Sequence, residues 1–156
     1  MTDQERYVGE VLGSFGMEFV RGYAVGCGKK TFVVDFFVPK FKVVLECTCS
    51  DGVPSHAVGV LAQKCAYLNY KFRKIKAGDP ALVCGVLAEA PKAHPSRIRG
   101  EIYDILDEAD FIITSLEELH CFLRGWSLGL EASRRVGDTQ PQKGPQSDCG
   151  AEAGQG

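Results

Sequence analysis

Asp35 and Glu46 are acids set in nearly apolar company. Phe32, Val33, Val34, Phe36, Phe37 and Val38 surround the first, and Val43, Val44 and Leu45 precede the second. Near-continuous apolar runs predict strands covered on both faces. An unpaired carboxylate there costs several kcal/mol unless a cation or donor meets it. The segment Val38-Pro39-Lys40-Phe41 reads as a hairpin turn. With Val38 paired to Phe41, Asp35 faces Val44, and Glu46 comes next on the same face. Diagonal neighbours of this kind have Cβ atoms roughly 7 Å apart. Two such carboxylates can close on one divalent cation, Mg²⁺ or Mn²⁺, with oxygens about 2.1 Å from the metal. A slip of one residue would put the acids on opposite faces. The plainer alternative is a structural pair of acids at a sheet rim.

A helix-like run follows, bearing Gln63, Lys64 and Tyr67. Asp35, then Glu46-Cys47-Thr48, then Gln63-x-x-x-Tyr67, resembles the PD-(D/E)XK nuclease superfamily in its RecB-type branch. The resemblance implies a metal-dependent nuclease that hydrolyses DNA phosphodiester bonds. Asp35, Glu46 and the Cys47 carbonyl would hold Mg²⁺ or Mn²⁺, and Glu10 on the first helix would reach the metal through water. Gln63 and Tyr67 would position the substrate or support the metal shell.

The family places a Lys two residues after the second acid, where this chain has Thr48. Lys64 is the candidate replacement. On a helical wheel Ala57, Leu61, Cys65, Leu68, Phe72 and Ile75 form the sheet-facing stripe. Gln63, Tyr67, Tyr70, Lys71 and Lys74 fall on another face, with Lys64 at the border. A border lysine can bury its stem and extend its charge along the sheet edge. If it serves catalysis, its ammonium should lie within about 6 Å of both carboxylates, as general electrostatic assistance requires. The alternative is a catalytically inactive nuclease-fold module that binds nucleic acid or a partner protein.

The elements that must position these residues can be read in order. Tyr7, Val8, Val11, Leu12 and Phe15 recur at helical spacing over residues 3–15. A short strand over 17–25 and the two acid-bearing strands follow. Pro54 and Ser55 open a long helix that reaches about Lys76, with Ser55 as its N-cap. The run from Ala81 reads as a buried strand, Ser96 caps a helix to about Asp107, Phe111 begins a short strand, and a last helix covers 116–130. Hairpin strands followed by helix-linked strands imply an α/β fold: a mixed sheet with helices on both faces. That order also resembles the αβββαβ core of the restriction-endonuclease-like fold.

Lys64, Lys71, Arg73, Lys74 and Lys76 give the long helix a local charge of +5, although the 156-residue chain totals −2. Lys71 and Lys74, with Gln63 and Tyr67, are therefore candidate contacts to a DNA backbone. Acids concentrate in residues 101–118, which DNA would avoid. Seven cysteines without a Cys-x-x-Cys read mainly as buried thiols, with a zinc cluster of Cys27, Cys47 and Cys49 as a weak alternative. Hydrophobic residues make up 45% and charged residues 24%, ordinary for a globular domain over 1–132. Residues 133–156, rich in Gly, Gln, Pro and Ser, read as a disordered tail. No run reaches a membrane span and no signal pattern opens the chain, so a cytoplasmic location is expected. A homodimer or a larger partner could complete so small a protein.

Overall fold

The computed structural model describes residues 1–136, with side chains as far as Ser127. Helix α1 (Asp3–Ser14) leads into strands β1 (Val20–Cys27), β2 (Lys30–Val38) and β3 (Val43–Cys49). Helix α2 (Pro54–Gly78), β4 (Val83–Glu89), α3 (Pro95–Ile102), β5 (Phe111–Ile113) and α4 (Leu116–Val136) complete it. The five strands form one sheet in the order β1-β2-β3-β4-β5. The first three are antiparallel, while β3-β4 and β4-β5 are parallel. The predicted α/β architecture, a mixed sheet flanked by helices, is what the chain forms. The expected tail from residue 133 begins inside α4, and its part beyond residue 136 lies outside the described residues.

Both sheet faces are covered, which is why β3 reads as an unbroken apolar run. Ala57, Leu61, Cys65, Leu68, Phe72 and Ile75 of α2, with Ile98 and Ile102 of α3, pack on one face against Val34, Val44 and Val86. Val8, Val11 and Leu12 of α1, with Leu119, Phe122 and Trp126 of α4, pack on the other against Phe36, Leu45 and Leu87. Each fully buried Leu, Ile or Phe stabilises by about 1.5–3 kcal/mol. The close approach of β4 to β5 depends on Gly85, where a Cβ would stand 2.0 Å from the Phe111 ring.

Several local expectations shift. The two-residue turn is replaced by a 3₁₀ turn over Pro39–Phe41 and a left-handed Lys42 (φ 54°), so Val38 pairs with Val43. The register moves by two residues, one full side-chain period, so the acids keep a common face. Val33 is 57% exposed, so the first half of β2 is covered on one face only: α1 lies over β3 and leaves it bare. Val53, not Ser55, precedes α2 and makes no side-chain cap, since Pro54 at the helix start removes one N–H that would need it. Helix α3 stops at Ile102, and its cap is His94, whose Nδ1 accepts from the Ser96 N–H at 3.2 Å.

Candidate functional site

Strands β2 and β3 bring the acids together through an irregularity in the hairpin. Phe32 and Val34 pack toward α2, whereas Phe36 and Val38 pack toward α1 and α4. Side-chain alternation therefore reverses at Asp35. In the β1–β2 register, Arg21 pairs with Phe36 and Tyr23 with Val34, which leaves Gly22 facing Asp35. Gly22 has φ +57°, a conformation that glycine adopts without steric cost. The reversal turns Asp35 toward β3, where its Oδ2 accepts the Cys47 N–H at 2.7 Å. The β2–β3 register, extended one step from Phe36–Leu45, sets Asp35 beside Glu46.

Glu46 is only 4% exposed, and the charge that meets it is the ammonium of Lys71, 7% exposed. Lys71 also donates to the Val33 carbonyl. The ammonium sits directly on Glu46 Oε1, so this buried oxygen has its donor and counter-charge in Lys71. Burial pushes the Glu46 carboxyl up to about 8; the charge of Asp35 adds to the rise, and Lys71 opposes it. One charged side chain from each of β2, β3 and α2 thus converges on a sheet face that is otherwise apolar.

The other candidates fall in different places. Lys64 does not join the acids: its Nζ donates to the Cys49 carbonyl at 2.9 Å, at the far end of β3. There it lines a recess of about 370 Å³ with Gln4, Cys47, Thr48 and Cys49. Lys71, expected on an outward phosphate-contacting face, is instead the lysine at the carboxylates. Lys64 and Lys71 are seven residues apart and share nearly the same angular position on the helix, so the wheel does not separate them. Glu10 is exposed on α1, which packs on the opposite face of the sheet from Glu46, so it does not reach the pair.

Near this end of β3 the first helix contributes Gln4 and Glu5 instead. Gln4 Nε2 donates to the Thr48 carbonyl at 3.1 Å and to Glu89 at 2.9 Å. Burial of its sulfur raises the half-exposed Cys47 thiol, and Asp35, Glu46 and Glu5 add to the rise. Gln4 and Glu5 precede Val8 by one helical turn and so belong to the inward stripe, which is the signal that marks them.

Gln63 and Tyr67 are exposed, two turns and one turn before Lys71 respectively, on the same side of α2. The +5 charge of that helix is largely spent inside the protein. Lys71 pairs with Glu46, Arg73 with Glu108 at 3.4 Å and Lys76 with Asp110 at 3.0 Å. Lys74 keeps its charge at the surface, 5.6 Å from the Tyr70 ring centroid.

For a metal, the fit is partial. Among the described residues no group of three or more His, Cys, Asp or Glu is placed to hold an ion, so neither a zinc cluster nor a closed protein cage is formed. Two adjacent carboxylates do suit Mg²⁺, which keeps several waters and takes only one or two carboxylates. The Cys47 N–H is engaged by Asp35, and the Cys47 carbonyl, which in a strand points to the same side as its own N–H, is directed toward β2, whereas Lys42 and Ser50 turn their backbone groups to β4.

Fold and site together define an α/β protein with a largely buried Asp–Glu–Lys cluster on a mixed sheet, its Asp35 half-buried. No protein-family model, curated protein or solved structure matches the chain. Among the described residues no helix is long and apolar enough to cross a membrane.

Proposed function

We propose that this chain is a divalent-metal-dependent nuclease of the PD-(D/E)XK type, hydrolysing DNA phosphodiester bonds on a restriction-endonuclease-like αβββαβ core. The observation that carries the reading is the meeting of Asp35, Glu46 and Lys71. Burying Glu46 and Lys71 beside an apolar core, with a half-buried Asp35 next to them, costs several kcal/mol, an arrangement that clusters at functional sites. Lys71 takes the part that the sequence resemblance would give to a lysine at Thr48.

Asp35 and Glu46 would hold Mg²⁺ or Mn²⁺, which when bound polarises the phosphate and acidifies a coordinated water. Asp35 is held in place by the Cys47 N–H beside Glu46. Glu46 must give up its proton before it can act as a ligand. Lys71, on the Glu46 carboxylate that stands beside Asp35, would offset negative charge on the phosphate in the transition state. Tyr67 and Gln63, on the same side of α2, position the strand.

The test is incubation of plasmid, linear duplex and single-stranded DNA with Mg²⁺ or Mn²⁺, comparing wild type with Glu46→Ala and Lys71→Met. Cleavage by the wild type alone is expected. Equal degradation by all three, or none with any metal, overturns the enzyme reading.

A second reading, a catalytically inactive module of the same fold, is favoured by one observation. The Lys71 ammonium occupies Glu46 and donates to Val33, so Glu46 already has its counter-charge without a metal. Calorimetric titration with Mn²⁺ separates the two. Binding abolished by Asp35→Ala supports the nuclease, and absence of binding supports the module. In the module a second copy or a larger protein would be the partner.

A further inference from the structure

Helix α2 and the β1–β2 hairpin share an outward surface on which aromatic rings and unpaired cations alternate. Tyr67 is 56% and Tyr70 37% exposed, with ring centroids 6.4 Å apart. Phe32 meets Tyr70 edge-on at 6.3 Å. Lys30 donates to the Tyr70 hydroxyl at 3.4 Å, and the Lys74 ammonium lies 5.6 Å from the same ring. Among the described residues none of Lys29, Lys30 and Lys74 forms an ion pair, in contrast to Lys71, Arg73 and Lys76 on the same helix.

Exposed tyrosines are ordinarily tolerated singly. Here two of them stand together, one braced by a phenylalanine and two lysines, and three ammonium groups remain without a carboxylate. Stacking rings alternating with free cations are what a single nucleic-acid strand requires, because its unpaired bases have accessible faces and its phosphates need neutralising. A duplex keeps its bases stacked on one another and offers these rings nothing. The patch also adjoins the charged cluster: Lys71 follows Tyr70, and the carbonyl it reaches belongs to Val33, next to Phe32.

As a deepening of the phosphodiester reading, on which it rests, we propose that Tyr67, Tyr70, Lys30 and Lys74 form a stacking surface for single-stranded nucleic acid leading to Asp35, Glu46 and Lys71. Tyr67 stacks on a base, Tyr70 with its lysines supports a neighbouring base or phosphate, and Lys29 extends the positive edge. A protein partner is the competing occupant.

The experiment is fluorescence anisotropy with a labelled 20-nucleotide oligo(dT), oligo(rU) of equal length and a blunt duplex, all in EDTA so that no cleavage occurs. Binding of the single strands at least about tenfold tighter than the duplex is expected. Tyr67→Ala should weaken it about tenfold, as the loss of one stacked base does. Lys74→Ala should flatten the slope of log affinity against log salt by about 0.7. Tyr67 and Lys74 are exposed, so both variants should keep the wild-type thermal melt, which is checked alongside. The two single strands bound alike indicate recognition through bases and phosphates, and preference for oligo(rU) assigns the surface to RNA. Equal binding of duplex and single strand, or affinity unchanged in Tyr67→Ala, overturns the proposal. Because metal is absent, single-strand binding without later cleavage would overturn only the nuclease reading.

Discussion

The ammonium of Lys71 rests on the carboxylate of Glu46, and seven residues earlier on α2 the ammonium of Lys64 rests on the Cys49 carbonyl. Seven helical residues advance about 10.5 Å. Three strand residues, from Glu46 to Cys49, advance about 10 Å. Helix α2 and strand β3 run past each other with matched steps, so each lysine finds its own partner. The choice between the two lysines is made by axial position alone.

Lys71→Met should leave Glu46 buried without its cation. A loss of about 3–5 kcal/mol in chemical denaturation is expected, as for other broken buried pairs. The double variant Lys71→Met/Glu46→Leu should recover most of it. If the single variant is as stable as the wild type, the ion pair is not formed in solution.

Lys64→Met should behave oppositely. Its loss removes one exposed hydrogen bond to Cys49, worth about 1 kcal/mol at most. Cleavage with Mn²⁺ should stay within about threefold of wild type, whereas Lys71→Met should lower kcat and kcat/KM together, as loss of a transition-state interaction does. Abolished cleavage in Lys64→Met with intact Lys71→Met would reverse the assignment.

Stability should fall as pH rises because of Glu46. Its folded-state value is raised from 4.5 to about 8, so the folded state binds the proton more tightly than the unfolded chain. The resulting stabilisation is complete below about pH 4.5 and is lost as pH climbs through about 8. Thermal melts between pH 5 and 8.5 should show a decline in the wild type of a few kcal/mol that Glu46→Gln lacks. Metal affinity should rise over the same window, since the cation competes with that proton. Parallel melting profiles for the two proteins would remove Glu46 as the titrating group.

Gly85→Ala tests the sheet that carries the site. A Cβ there meets Phe111 at 2.0 Å and must displace a buried ring between β4 and β5. A cost of about 1–3 kcal/mol is expected. Gly9→Ala is the contrast, because its Cβ meets only the mobile guanidinium end of Arg21 and should cost about 1 kcal/mol or less. Equal melting temperatures for the two variants would contradict this packing.

What the sequence determined by itself was everything that depends on periodicity. The stripe from Ala57 to Ile75 packs on the sheet as the wheel requires, and the element order yields a mixed sheet with helices on both faces. Asp35 and Glu46 stay on a common face because the hairpin moved by one full side-chain period. Three matters were decided only by tertiary structure. The wheel fixes angle but not height along the helix, so it could not tell Lys64 from Lys71. The reversal of alternation at Asp35 falls opposite a left-handed Gly22 on the neighbouring strand, which no pattern within β2 contains. And the basic helix keeps Lys74 at the surface while spending Lys71, Arg73 and Lys76 on Glu46, Glu108 and Asp110. Those acids lie far away in sequence, and folding alone brings them within ion-pair distance.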